Sequence, residues 1–174
     1  ARRDAKIDHR NTPHDVSILF GEDPHAHGVS SVCLFQEEIV PICSALYLKT
    51  AGPFHEPQDL LSAKLLHLSG PDHQWFTWAD WFGAIDSRLP LKSFRKNGLF
   101  FGNYPLLLQA VLQNQGIALG WRPLIDDLIK TGQIVSLSNK SIKSQRGYFI
   151  ATDPKKNRHV DSFIQWILTH SHTP

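Results

Sequence analysis

At 174 residues, 41% hydrophobic and 20% charged, the chain is long enough to bury a core and has the composition of an ordinary soluble domain. No apolar run approaches the roughly 18 residues of a membrane span, and the opening ARRDAKIDHR lacks the apolar stretch of a signal peptide. A net charge of +2, without a basic stripe beyond Lys155, Lys156 and Arg158, argues against nucleic-acid binding by this chain, and two cysteines are too few for a disulfide framework and point to a reducing compartment.

His14 to Phe20 reads as a strand, with a loop through Gly21, Pro24 and Gly28. Val32 to Ile42 reads as a long strand with Pro41 near its end, and Ser44 is placed to cap a short helix through Leu48. Cys33 and Cys43, ten residues apart on one extended stretch, cannot bridge to each other. Pro57 to Leu61 forms a helical turn, Leu65 to Leu68 a strand, and Trp75 to Ile85 has helical spacing, with Trp78, Trp81 and Phe82 on one core-facing side. The stretch from Phe100 to Leu124, FFGNYPLLLQAVLQNQGIALGWRPL, is the densest. Leu99 to Phe101 is a strand broken by Gly102-Asn103. Asn103 is an N-cap, Pro105 suits the first turn, and a helix runs to a stop at Gly116. Ile117 to Leu119 is a buried strand, and Gly120 to Pro123 repeats the strand-to-helix turn into a helix from Pro123 to Lys130, stopped by Gly132. Ile134 to Leu137 and Gly147 to Thr152 are strands. Val160, Phe163, Ile164 and Ile167 share the face of a last helix. Alternating strands and helices predict open α/β sheets with mostly parallel pairing.

Five segments, in order, resemble the effector-binding domain of LysR-type transcriptional regulators. They are His14 to Gly21, Leu34 to Ser44 with its L-x-x-E…P-I-C-S wording, Pro57 to Leu61, the helix ending in Gln115-Gly116, and Ile117 to Leu124 with its I-A-L-G and R-P-L. The resemblance runs from about Asp8 to Leu168. It implies a two-lobe, type-2 periplasmic-binding-protein-like α/β fold, each lobe an open mixed sheet flanked by helices. Residues 1–42 with 147–174 would form lobe I and residues 43–146 lobe II, with two crossover strands as the hinge. The resemblance also implies that the family's winged helix-turn-helix, its linker helix and the first strand-helix segment of the effector domain are missing. The lack of any methionine, even at the start, agrees that this is a piece of a longer protein.

The same resemblance implies a cytoplasmic sensing module without cofactor or catalysis. A small-molecule effector would enter the inter-lobe cleft, DNA would be contacted only through the absent N-terminal domain, and the assembly would be a homodimer or homotetramer with no membrane partner. Candidate ligand contacts are Phe20 and Gly21 at a strand end, Ser44 after the crossover, Gly102, Asn103 and Tyr104 at the helix start, Trp121 and Arg122 at the next strand end, and Trp75 beside Gly70-Pro71-Asp72-His73. Asn103 and Ser44 equally suit pure capping, Trp121 pure packing and Arg122 plain solvent exposure. Several aromatic faces with a carboxylate such as Glu22 or Asp72 suit a quaternary ammonium ion through cation–π attraction. The wording NYPLLLQ…GWRPLIDDLI also resembles the subgroup associated with choline-sulfate use. An anion held by Asn103, Arg122 and helix N-termini competes. Trp121→Ala is expected to weaken effector binding with little loss of fold.

Other classes find less support. Asp23-Pro24-His25-Ala26-His27 has the H-x-H of amidohydrolase barrels, but 174 residues cannot close such a barrel. His170-Ser171-His172 has no third ligand nearby. There is no G-x-S-x-G elbow and no phosphate-binding glycine loop, and Cys43 reads as a small buried hydrophobe. A solute-binding protein of a transporter is the alternative from another class.

Overall fold

The computed structural model describes residues 15–24, 30–69, 75–86, 98–138, 141–152 and 158–171. The chain divides into two compact units, residues 1–37 with 144–174 and residues 38–143. Two long strands, β2 (Ser30–Ser44) and β7 (Ile142–Thr152), pass from one unit to the other.

In the first unit β1 (Val16–Gly21) pairs antiparallel with β7, from Val16 opposite Thr152 to Gly21 opposite Gly147. Phe149, Ile150 and Ala151 are consecutive and all buried, so both faces of β7 are covered there. Gly147 is required by proximity: a Cβ on it would lie 2.5 Å from the carbonyl oxygen of Phe35 on β2. One charged group is buried here. The Glu37 carboxylate, on a residue only 2% exposed, accepts from Arg146 Nε at 3.0 Å and Nη2 at 2.9 Å, and from the Ser144 hydroxyl. Those partners offset the cost of taking the charge out of water. Helix α5 (Arg158–Ser171) half-buries Val160, Ile164, Ile167 and Leu168. Phe163 was expected on that face but is 46% exposed. At 100° per residue it falls at the edge of the stripe, where it stacks on Trp166 at 6.4 Å.

In the second unit the last part of β2 pairs antiparallel with β5 (Ala118–Arg122), from Glu38 opposite Arg122 to Ile42 opposite Ala118. It also pairs antiparallel with β6 (Ile134–Ser136). Strands β3 (Leu66–Leu68) and β4 (Leu99–Phe101) are parallel, and a parallel bridge from Leu65 to Ile117 brings in the start of β5. Mostly parallel pairing is therefore not what the described strands show. The strand–helix alternation encodes the crossovers among β3, β4 and β5, but not the direction in which β2 enters the sheet.

Two apolar clusters cover the two faces of this sheet. Ile39, Cys43, Leu119 and Trp121 join Trp78, Trp81 and Phe82 on one side, while Val40, Ile42 and Ala118 join Leu107, Val111 and Ile125 on the other. The period of two along β2 and β5 sends successive residues to opposite cores, which is why Ile117-Ala118-Leu119 carries no polar alternation. The helices on these faces are α1 (Ala45–Ala51), α2 (Trp78–Ile85), α3 (Tyr104–Leu112) and α4 (Asp126–Lys130), with a 3₁₀ turn over Pro57–Ser62. Helix α3 stops before the expected Gly116, because Asn114 takes the left-handed conformation at φ 60°. Gly116 serves close packing instead: a Cβ there would lie 2.3 Å from the Lys64 carbonyl oxygen. Trp121 and Arg122 remain in strand β5, and helix α4 begins at Asp126 rather than at the expected Pro123 because Pro123 to Ile125 form a turn, the Asp126 N–H donating to the Pro123 carbonyl at 3.0 Å.

Candidate functional site

Strands β3, β4 and β5 run in the same direction, and their carboxyl ends are where open α/β sheets bind ligands. In this unit a cavity of about 230 Å³ has walls from Leu66, His67, Ser69, Trp75, Phe100 and Trp121, with Thr77 and Trp78 closing it from the start of α2. At about 30 Å³ per water, this is room for roughly seven non-hydrogen atoms.

The walls are aromatic and set by local chemistry. Thr77 and Asp80 form a reciprocal cap: the Asp80 carboxylate oxygen Oδ2 accepts from the Thr77 backbone N–H at 2.8 Å, and the Thr77 hydroxyl oxygen accepts from the Asp80 N–H at 3.3 Å. That box starts α2 at Trp78 and leaves Trp75 outside the helix, 36% exposed. Trp78 is buried, donating its indole N–H to the Leu66 carbonyl at 3.0 Å. Trp75 meets Trp121 edge-on at 6.1 Å and 81°, and Tyr104 meets Trp121 at 5.2 Å and 84°. The Tyr104 hydroxyl oxygen accepts the Trp121 backbone N–H at 3.1 Å, locking the start of α3 to β5. His67 stacks on Phe100 at 4.6 Å.

Of the residues singled out from the sequence, Trp75, Tyr104 and Trp121 are brought together. Asn103 caps α3, its Oδ1 accepting the Leu106 N–H at 3.0 Å, and beside Gly102 a Cβ would meet nothing within 4 Å. Arg122 donates from Nε to Asp126 Oδ1 at 2.7 Å and lies 3.8 Å from Glu38. The hydrogen bond to Asp126 holds the guanidinium pKa above its ordinary value, against partial burial, with the charges of Asp126 and Glu38 adding to it. Ser44 sits at the far end of the β2 segment whose near end pairs with Arg122. Its hydroxyl caps α1 by accepting the Tyr47 N–H at 2.9 Å and donates to Asn114. Phe20 and Gly21 belong to the first unit, where the Phe20 ring packs 4.9 Å from Tyr148 and 5.5 Å from the Arg146 guanidinium.

His67, Ser69, Thr77 and Phe100 were not singled out. A histidine inside the apolar run Leu65 to Leu68 was the available signal for His67. The stretches 25–29 and 70–74, with the H-x-H pair and Asp72, lie outside the described residues, as do Lys155, Lys156 and His172. Among the described residues no three His, Cys, Asp or Glu side chains gather as a metal site, and no helix is long and apolar enough to cross a membrane. Cys33 is exposed and Cys43 buried, both as free thiols. Burial pushes the Cys43 thiol up to about 11, partly opposed by a hydrogen bond from the Leu48 backbone.

An α/β unit with an aromatic cavity at its strand ends, joined to a second unit through two long strands, has the periplasmic-binding-protein-like architecture of small-ligand receptors. The chain belongs to the LysR substrate binding domain family, whose model matches residues 10–171. The glycine cleavage system transcriptional activator of Escherichia coli K12 is 26% identical over 156 residues, covering 88% of this chain and 48% of the relative. The HTH-type transcriptional regulator DsdC of the same organism is 27% identical over 162 residues, covering 88% and 49%. This chain thus spans about half the length of these relatives. Among solved structures, the effector domain of the transcriptional regulator AmpR of Pseudomonas aeruginosa aligns with a TM-score of 0.66 at 22% identity, over 90% of this chain and 71% of that one. The AmpR effector binding domain from Citrobacter freundii aligns at 0.70 and 20% identity, over 91% and 74%. These two likenesses speak to the fold.

Proposed function

We propose that the chain is the sensing part of a LysR-type regulator, and that its ligand occupies the aromatic cavity at the ends of β3, β4 and β5. The preferred ligand is a small quaternary ammonium compound of the choline class. The observation that carries this reading is the pair Trp75 and Trp121, which line the cavity and meet at 81°, with Phe100 as a further ring in its wall. Walls at right angles let a compact cation meet more than one π-face, worth about 0.5–2 kcal/mol per well-placed ring. The anionic reading is weaker, because Asp126 already engages Arg122 and the one helix start in the cavity wall, that of α2, carries the Asp80 carboxylate in its first turn.

In the longer protein, DNA contact would come from a separate domain and assembly would be dimeric or tetrameric. Both curated relatives are named as transcriptional regulators, which supports this reading over a transporter's solute-binding protein. Sensing needs no chemistry, only a ligand that binds one conformation of the regulator more tightly than another.

Calorimetric titration with choline and with its neutral carbon isostere, 3,3-dimethylbutan-1-ol, tests the ligand class. Choline should bind about 10-fold more tightly, from the cation–π contribution. Equal affinities, or binding of glycine alone (the metabolite in the name of one relative), would overturn it.

A further inference from the structure

In the first unit the described strands lie in the order β1, β7, β2, which makes β1 the edge. Its sequence is not that of an edge. Val16–Gly21 reads VSILFG, without a charge or a proline, and carries apolar side chains on both faces, Val16 and Ile18 on one and Leu19 on the other. Edge strands are normally blunted by charge, proline or a bulge, and apolar residues on both faces belong to interior strands. The burial pattern shows the same mismatch. Ile18 lies opposite Ile150 and Leu19 opposite Phe149. Ile150 is 0% exposed and Phe149 7%, whereas Ile18 is 58% exposed and no residue of β1 is buried.

Charge at the strand ends selects the occupant of that edge. Asp15 precedes β1, Glu22 and Asp23 follow it, and all three are exposed. Two copies of β1 would therefore repel. Full antiparallel overlap sets Asp15 of one opposite Glu22 of the other at both ends, and parallel overlap sets each acid beside its own copy. A strand with basic ends fits instead. The AmpR effector domains that align with 90 and 91% of this chain are covered over 71 and 74% of their own length, so a quarter or more of each lies outside the alignment. We propose that the outer edge of β1 is a docking edge for a further strand of the same protein, from outside these 174 residues. That strand pairs along Val16–Gly21, covers Ile18 and brings basic residues to Asp15 and Glu22. The proposal rests on the chain being part of a longer regulator, and not on the ligand of the aromatic cavity.

Hydrogen–deuterium exchange, read by mass spectrometry on peptides spanning Asp15 to Glu22, tests it in the 174-residue chain and in the full-length regulator. Outer-edge amides should exchange at nearly the unfolded rate in the short chain and at least about 100-fold more slowly in the long one. Ile18→Lys, at an exposed side chain, should leave the urea midpoint of the short chain unchanged. In the long chain the same substitution should restore fast exchange of β1, because the docked strand would bury the charge, while peptides from β5 stay protected. Equal exchange of β1 in the two chains would overturn the proposal, as would slow exchange that persists in the long Ile18→Lys variant. Exchange that slows in the short chain as its concentration rises would overturn it in favour of a second copy. The readout is β1 itself, so loss of the choline assignment and loss of the docking edge show in different measurements.

Discussion

Trp121 lines the aromatic cavity and also packs in the core, and at 5% exposed the second role governs what its removal does. The sequence places it at a strand end and so suggests a side chain that can be truncated cheaply. Because the period of two along β5 turns it into the same core as Trp81 and Phe82, Trp121→Ala should instead cost about 3–5 kcal/mol in denaturant unfolding. Trp75, outside the helix, is the cleaner probe: Trp75→Ala should cost under about 1 kcal/mol while removing a cavity wall. Equal losses of stability would contradict the packing described for Trp121. The buried Cys43 thiol gives a pH signature. Its folded pKa is raised to about 11 from an ordinary value of 9.0, so between these the folded state holds the proton more tightly than the unfolded chain. Stability should therefore be fully present below pH 9 and decline through pH 11, by about 2–3 kcal/mol from this group. Tyr47 and Tyr148, also raised by burial, add to the same alkaline decline. Cys43→Ala should flatten the decline in urea midpoints without abolishing it, and an unchanged profile would refute this account of the thiol.

Helix starts were more legible than helix ends. Ser44 and Asn103 are side-chain caps whose chemistry is written in one residue each, and both cap as the sequence suggests. Ser44→Ala should accordingly cost about 1 kcal/mol while leaving effector affinity unchanged, and a selective loss of affinity in a stably folded variant would return Ser44 to the site. The start of α2 was misplaced because apolar spacing continues back to Trp75, although Thr77-x-x-Asp80 is a capping box in plain view. The correction matters for function, since the box is what leaves Trp75 available to the cavity. The end of α3 was misplaced for a different reason. Asn114 and Gly116 can both adopt positive φ, and only the approach of the Lys64 carbonyl, fifty-odd positions away in sequence terms, assigns Gly116 to packing. Antiparallel pairing of β2 was hidden for the same cause: strand direction is a tertiary property that a run of apolar residues does not encode.

At the scale of the whole chain, family membership and the alternation of strands and helices were legible, because they follow from ordered motifs spread over nearly all its length. The cavity was legible in part: its aromatic residues come from β3, β4, β5 and the approach to α2, and only folding shows that Phe100 and His67 stand among them. The central claim is that this aromatic cavity holds the effector. Thermal unfolding of the 174-residue chain with choline, run beside Trp75→Ala, tests it most directly. A ligand at a hundredfold over its dissociation constant adds about 2.7 kcal/mol, which should raise the midpoint by about 5–10 °C in a domain of this size. The account predicts that rise in the native chain and its loss in Trp75→Ala. The same rise in both, or a rise only with carboxylates, would contradict it.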